Sequence, residues 1–198
     1  MTPFSSYDDF LDHARAFHGS ASPGLLTGAS MVELALHSLG RTQRYHALCE
    51  TGRSLPDAVQ LLTACTAGNG RLHVLELGRF ALTLYRQDDG RGVRVWLDPC
   101  KLDNWPDIRR WSRGEKPQGK SLVKLERDIR KAGITILSAA PVSMSPAFLA
   151  RCQPETLEDI APCPVCGELH PASAGQLCRA CQGHSPYIPR HREDFLQP

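Results

Sequence analysis

The sequence has no apolar run approaching the ~18–20 residues that cross a bilayer. It also has no excess of either charge, since 23 Lys and Arg face 21 Asp and Glu over 198 residues. That balance excludes a strongly basic nucleic-acid binder and an acidic disordered tail. No G-x-x-x-x-G-K-S/T, G-x-S-x-G or H-E-x-x-H motif occurs, so phosphate-loop, standard hydrolase and zincin chemistry have no motif behind them. No internal repeat is found. The first residues carry Asp8, Asp9 and Asp12 where a signal peptide would be basic and then apolar, which points to a cytoplasmic chain.

What the sequence does have is cysteine, eight in all. Four of them, Cys163, Cys166, Cys178 and Cys181, form two C-x-x-C pairs near the C-terminus. In a cytosolic protein that spacing points to metal rather than disulfides. Two such pairs can set four thiolates tetrahedrally around one ion, and Zn²⁺ suits a closed four-sulfur site with no open position for catalysis. A redox C-x-x-C would explain one pair and leave the other without a role. One structural zinc per chain is therefore expected, with His170 and His184 as surface histidines. The fragment is too small for a core of its own, so metal binding would carry its folding. Cys49, Cys100 and Cys152 are isolated and read as buried structural thiols.

Hydrophobic periodicity predicts helices over 7–17 and 25–39, a strand over 45–50 and a helix over 56–64 that begins at Pro56. Two antiparallel strands over 72–77 and 79–86 and a third over 93–97 follow the Gly68-Asn69-Gly70 turn. Segment 98–132 is helical in pattern and rich in Lys and Arg, and 134–142 reads as a last strand. Strands with flanking helices, without strict βαβ alternation, indicate an α+β fold with a mixed or antiparallel sheet. The expected domains are a core over 1–150 and a zinc finger with its tail over 151–198. The basic stretch 109–131 with Trp105 and Trp111 reads as a solvated helix face, so nucleic acid is a disfavoured partner.

Three stretches, FHGSASPG (17–24), ETGRSLPDAVQLLTACTAGNGRL (50–72) and GRFALTLYRQDDGRGVRVWLD (78–98), resemble in order and spacing the FmdE-like proteins, a family named after a component of formylmethanofuran dehydrogenase. The resemblance covers most of residues 7–142, and several members append a treble-clef zinc finger such as 160–185 would supply. It implies an intertwined α+β homodimer with a core pocket of Cys and His residues that bind metal. By position, His18 and Cys65 match pocket residues, and Asp57, Gln60, Thr63 and Thr66 match the motifs. Four positions depart: Ser20 stands for the second His, Ser22 and Ser54 for cysteines, and Gly52 for an Asp.

A serine hydroxyl stays protonated near neutral pH, whereas a soft metal needs thiolate or imidazole. The core pocket, with His18, Ser20, Ser22, Ser54, Cys65 and Thr66 as its candidate residues, is thus read as degenerate. The resulting expectation is an accessory protein that dimerises and binds a partner protein. Two alternatives stand beside it. One is an enzyme of redox or one-carbon chemistry using a metal or cofactor at His18 and Cys65; the other is a zinc-finger regulator that binds nucleic acid.

Overall fold

A computed structural model describes residues 4–39, 44–152 and 159–187. They belong to two compact units, Met1–Gln153 and Pro154–Pro198. Among the described residues no helix is long and apolar enough to cross a membrane.

The first unit contains strands β1 (Tyr45–Cys49), β2 (Leu72–Val74), β3 (Ala81–Arg86), β4 (Arg91–Leu97) and β5 (Leu137–Ser143). Its helices are α1 (Tyr7–His18), α2 (Pro23–Leu39), α3 (Leu55–Leu62), α4 (Pro106–Ser112), α5 (Lys120–Ala132) and α6 (Pro146–Arg151). The sheet runs β2-β1-β3-β4-β5, parallel between β1 and β2 and antiparallel elsewhere. It is a five-stranded mixed sheet flanked by helices, as the α+β reading expects.

Side chains alternate across a strand, so each sheet face has its own set. Ala47, Cys49, Leu82, Leu84 and Val95 join the core with Leu25, Met31, Val32 and Ala35 of α2 and Leu55, Ala58 and Val59 of α3. On the opposite face, Phe148 of α6 sets its ring against His73 and Tyr85. With both faces covered, β1 is buried along its whole length.

Two glycines bring α2 and α3 together. A Cβ on Gly24 would lie 2.9 Å from Ser54 Cβ, and one on Gly28 would lie 2.8 Å from Ala58 Cβ. Glycines four residues apart thus give α2 a flat stripe on which α3 rests. This contact places the N-terminal ends of the two helices side by side.

Several boundaries differ from the sequence reading. Residues 72–77 do not pair with 79–86. Only Leu72–Val74 is strand, and it runs parallel to β1, with Ala47 opposite Leu72. The chain leaves β1 through α3, and a helical crossover returns the next strand in the same direction. The helix expected over 56–64 ends at Leu62. The pattern over 98–132 is not continuous: Gly114 and Gly119, both with positive φ, separate α4 from α5. The last strand starts at Leu137, after a 3-10 turn over Gly133–Ile136. Helix α6, capped by Ser145 accepting from Phe148 N–H at 3.3 Å, lies outside the elements the sequence predicted.

In the second unit a two-stranded antiparallel ribbon pairs β6 (Ile160–Pro162) with β7 (Leu169–Pro171), and a helical turn follows at Ala180–His184.

Candidate functional site

The finger is built from two turns. Cys163 follows β6 directly; its N–H bonds Glu168 O at 2.9 Å, and Gly167 N–H returns to Cys163 O at 2.8 Å. Gly167 takes φ +77°, a conformation that suits glycine and closes the turn holding Cys163 and Cys166 on one side. Cys178 and Cys181 lie at the entry to the Ala180–His184 turn, where Cys181 N–H points at Cys178 Sγ at 3.5 Å.

All four sulfurs lie within 4.8 Å of one another, and Cys166 and Cys178 are 3.7 Å apart. Tetrahedral Zn–S bonds of ~2.3 Å place sulfurs about 3.8 Å apart, so the donor set fits zinc. Backbone N–H groups, led by that of Cys166, pull Cys163 down to about 6. Hydrogen bonding with Cys178 pushes Cys181 up to about 12. Four adjacent thiols cannot all ionise unaided, and a dication supplies the missing charge. His170 is no ligand in this set; it is buried in β7 with Nδ1 lacking a hydrogen-bond partner, against the surface position expected of it.

In the core, three of the sequence-predicted residues come together. His18 ends α1, Ser22 immediately precedes α2, and Ser54 immediately precedes α3. Asp57, in the first turn of α3, lies 2.6 Å from His18 through Oδ2 and Nδ1. A carboxylate only accepts, so Nδ1 carries a proton, and in the neutral imidazole Nε2 is then an acceptor. Ser22 Oγ lies 3.2 Å from that Nε2, and 3.3 Å from Ser54 Oγ. Leu25 N–H also points at Ser22 Oγ, at 3.3 Å.

With the imidazole neutral, Ser22 donates to His18 Nε2, which leaves its oxygen accepting from Leu25 N–H and from Ser54 O–H. Ser54 has φ +56° and ψ −39°, and Leu55 N–H folds back onto Arg53 O at 2.5 Å. This is a positive-φ γ-turn centred on a non-glycine residue, a rare and strained geometry. Among the described residues Ser54 alone of the non-glycines has positive φ.

The loop carrying Ser54 is anchored by Glu50, which closes β1. Its carboxylate is nearly fully buried and meets Arg94 at 2.6 and 2.9 Å and Arg79 at 2.6 Å. Burial opposes the charge on Glu50, but the bonds from Arg94, joined by Arg79, outweigh it and hold the carboxyl below its ordinary value. Gly52 N–H donates to Glu76 Oε1 at 2.8 Å. A Cβ at position 52 would sit 2.4 Å from that oxygen.

The remaining pocket residues turn elsewhere. Cys65 is buried, its thiol donating to Tyr45 O at 3.1 Å, and burial raises its pKa. It lies three residues beyond the end of α3, not on the helix. Thr66 bonds Asn69 within the 66–70 turn, and Ser20 is exposed. A cavity of about 400 Å³ against α1, α2 and α5, lined by Phe4, Tyr7, Phe10, Leu26, Leu36 and Arg130, includes none of these residues.

Cys49 is buried as expected, and desolvation pushes its thiol up to about 12. Cys100 is exposed and Cys152 half-buried, against the expectation for both. Cys100 lies in the 3-10 turn Pro99–Lys101 after β4, and Cys152 caps the C-terminal end of α6.

Comparison with known proteins bears on both units. Residues 17–144 match the family described as FmdE, molybdenum formylmethanofuran dehydrogenase operon. The chain belongs to the FmdE family. Residues 155–188 match the FmdE treble clef zinc finger, in agreement with the four-cysteine cluster. The crystal structure of a tungsten formylmethanofuran dehydrogenase FmdE-like protein from Syntrophus aciditrophicus is 45% identical, with a TM-score of 0.84 over 92% of this chain and 95% of that one. A probable S-adenosyl-L-methionine-binding protein of Archaeoglobus fulgidus is 28% identical over 91% of this chain. The chain spans about half of that relative, 54% of its length.

Sequence reasoning found His18, Ser22 and Ser54 in this FmdE chain, but missed the pairing of His18 with Asp57, 39 residues away. The available signal was the Asp of the E-T-x-x-x-x-x-D-A-x-Q stretch, retained where the neighbouring cysteine position had become serine.

Proposed function

We infer that this FmdE protein is a cytoplasmic, homodimeric accessory protein with one structural zinc in the finger and a core that has given up metal binding. The observation that carries the reading is the donor set around His18. Both ring nitrogens are engaged, by Asp57 and Ser22, and the adjoining groups are hydroxyls. Cys65 bonds the backbone of β1 instead. Among the described residues, the four finger cysteines are the one group of three or more His, Cys, Asp or Glu side chains close enough to hold an ion.

The finger offers an interaction surface as well as a metal. Val165, Leu169 and Tyr187 are all more than two-thirds exposed, which suits a partner protein better than nucleic acid. The basic segment points the same way. Arg109 pairs with Asp103, and Arg110 and Lys124 share Asp107, so two carboxylates within the chain already offset two of these three positive charges. The family context links this role to enzymes of one-carbon metabolism.

Elemental analysis of the wild type and of Cys163→Ser/Cys178→Ser tests the reading. One zinc per chain, lost in the double variant, is the expected result. A second metal that survives would overturn it and favour a metal- or cofactor-dependent enzyme. Light scattering at micromolar concentration should give twice the chain mass; a monomer would remove the dimer from the proposal.

A further inference from the structure

We propose that Ser22, His18 and Asp57 form an acyl-transfer triad, with Ser22 Oγ as the nucleophile toward a carboxylic ester or thioester. The proposal rests on the metal-free reading of the core, because a metal on His18 Nε2 would occupy the nitrogen that must act as base.

The geometry carries each role. Asp57 Oδ2 fixes the His18 tautomer through a 2.6 Å bond to Nδ1, and Nε2 faces Ser22 Oγ at 3.2 Å. A triad is recognised by these relations and not by chain order, so the absence of a G-x-S-x-G motif does not count against it. Capping alone would explain Ser22 accepting from Leu25 N–H. It would explain neither an imidazole on the same oxygen nor a carboxylate behind that imidazole, supplied by α1 and α3.

The helices add fixed fields of the right sign. Ser22 sits at the positive end of the 17-residue α2, which favours a developing alkoxide, and His18 sits at the negative end of α1, which favours imidazolium. Ser54, held by its strained γ-turn with Oγ 3.3 Å from the nucleophile, carries a hydroxyl whose proton turns from Ser22 Oγ to the oxyanion as the new Oγ–carbon bond forms. Phe80, whose ring lies 3.8 Å from a Cβ built on Gly24 and packs edge-on against Trp111, gives an apolar wall for an acyl chain.

The chemistry balances with water as co-substrate. Ser22 Oγ attacks the carbonyl carbon of R–CO–X–R′, where X is oxygen or sulfur, while His18 Nε2 takes the hydroxyl proton. The C–X bond breaks, and His18 returns that proton to the departing X–R′. Water, deprotonated by His18, then cleaves the Ser22 ester, releasing the carboxylic acid and restoring the hydroxyl.

The test treats the full-length chain with a fluorophosphonate probe, maps the adduct by peptide mass spectrometry, and counts zinc on the same sample. The expected result is one adduct per chain on Ser22 with one zinc. His18→Ala should abolish labelling. Asp57→Asn should slow it by roughly 10²–10⁴, with part of the rate restored in Asp57→Glu. The wild-type adduct position decides without relying on Ser22→Ala, which also loses a helix cap. One zinc with no adduct, or an adduct elsewhere, overturns the triad and leaves the metal-free core standing. A second metal overturns that core reading and the triad with it. Labelling unchanged in His18→Ala overturns the relay.

Discussion

Replacing Arg94 by Met removes the main partner of the Glu50 carboxylate while keeping most of the side-chain stem. Glu50 is 4% exposed at its side chain, and its remaining partner Arg79 is 59% exposed, so water screens most of what Arg79 can offer. Removing one partner of a buried pair costs about 3–5 kcal/mol, because the other charge is left desolvated. With Arg79 still in place, the lower end applies, about 3 kcal/mol. For a domain of this size that is a fall in Tm of roughly 6–12 °C. Thermal and urea melts of the two proteins at pH 7 measure it.

The pH dependence fixes the cause of that loss. In the wild type the folded-state pKa of Glu50 lies below its ordinary value, so the contribution is fully present above about pH 4.5 and fades as pH falls through the depressed value. In Arg94→Met burial dominates and raises the folded pKa, so acid protonates Glu50 and relieves the penalty. The stability gap between the two proteins should therefore narrow from pH 7 to pH 4. Glu50→Gln/Arg94→Met should recover part of the loss. A gap of less than 2 °C, or one that widens in acid, would refute the assignment of Glu50 as a buried, ionised anchor.

Two further outcomes follow from burial. His46 and His73 have their pKa values lowered by desolvation, with His46 lowered further by the charge of His73. Stability should be full above their ordinary value near 6.5 and fall as pH drops below it, and His46→Gln should flatten a melting series between pH 7.5 and 5.5. In the native zinc-loaded protein, iodoacetamide should modify Cys100 first, while Cys49 and Cys65 stay unreactive until the chain unfolds. Early modification of Cys49, whose thiol burial pushes up to about 12, would contradict the packing of β1 against α2 and α3.

The four-cysteine cluster and helices α1 and α2 were legible in the sequence for local reasons. Two C-x-x-C pairs specify a tetrahedral thiolate site by spacing alone, and Gly167 supplies the turn between strand and strand. Of the periodic apolar residues Leu26, Ala29, Met31, Leu34, Ala35 and Leu39 that announce α2, Leu26, Met31 and Ala35 are buried, while Ser6 and Gly19 mark the ends of α1. The mixed sheet was legible in class but not in pairing. Leu72–Val74 reads as the first arm of a hairpin with β3, yet α3 returns the chain parallel to β1, and no three-residue strand carries the signature of its partner.

The core site divides along the same line. The sequence by itself determined that His18, Ser22 and Ser54 stand in the motifs of the FmdE family and that serine has taken the places of two cysteines. Only the tertiary structure decided what those residues do together. Gly24 and Gly28 let α2 press against α3, and that contact sets Asp57 behind His18 and Ser54 beside Ser22. It also decided that Cys65 turns under β1 and out of the cluster. Side-chain identity is written residue by residue, whereas which donor meets which acceptor depends on how closely two helices pack, and that closeness comes from atoms the glycines lack.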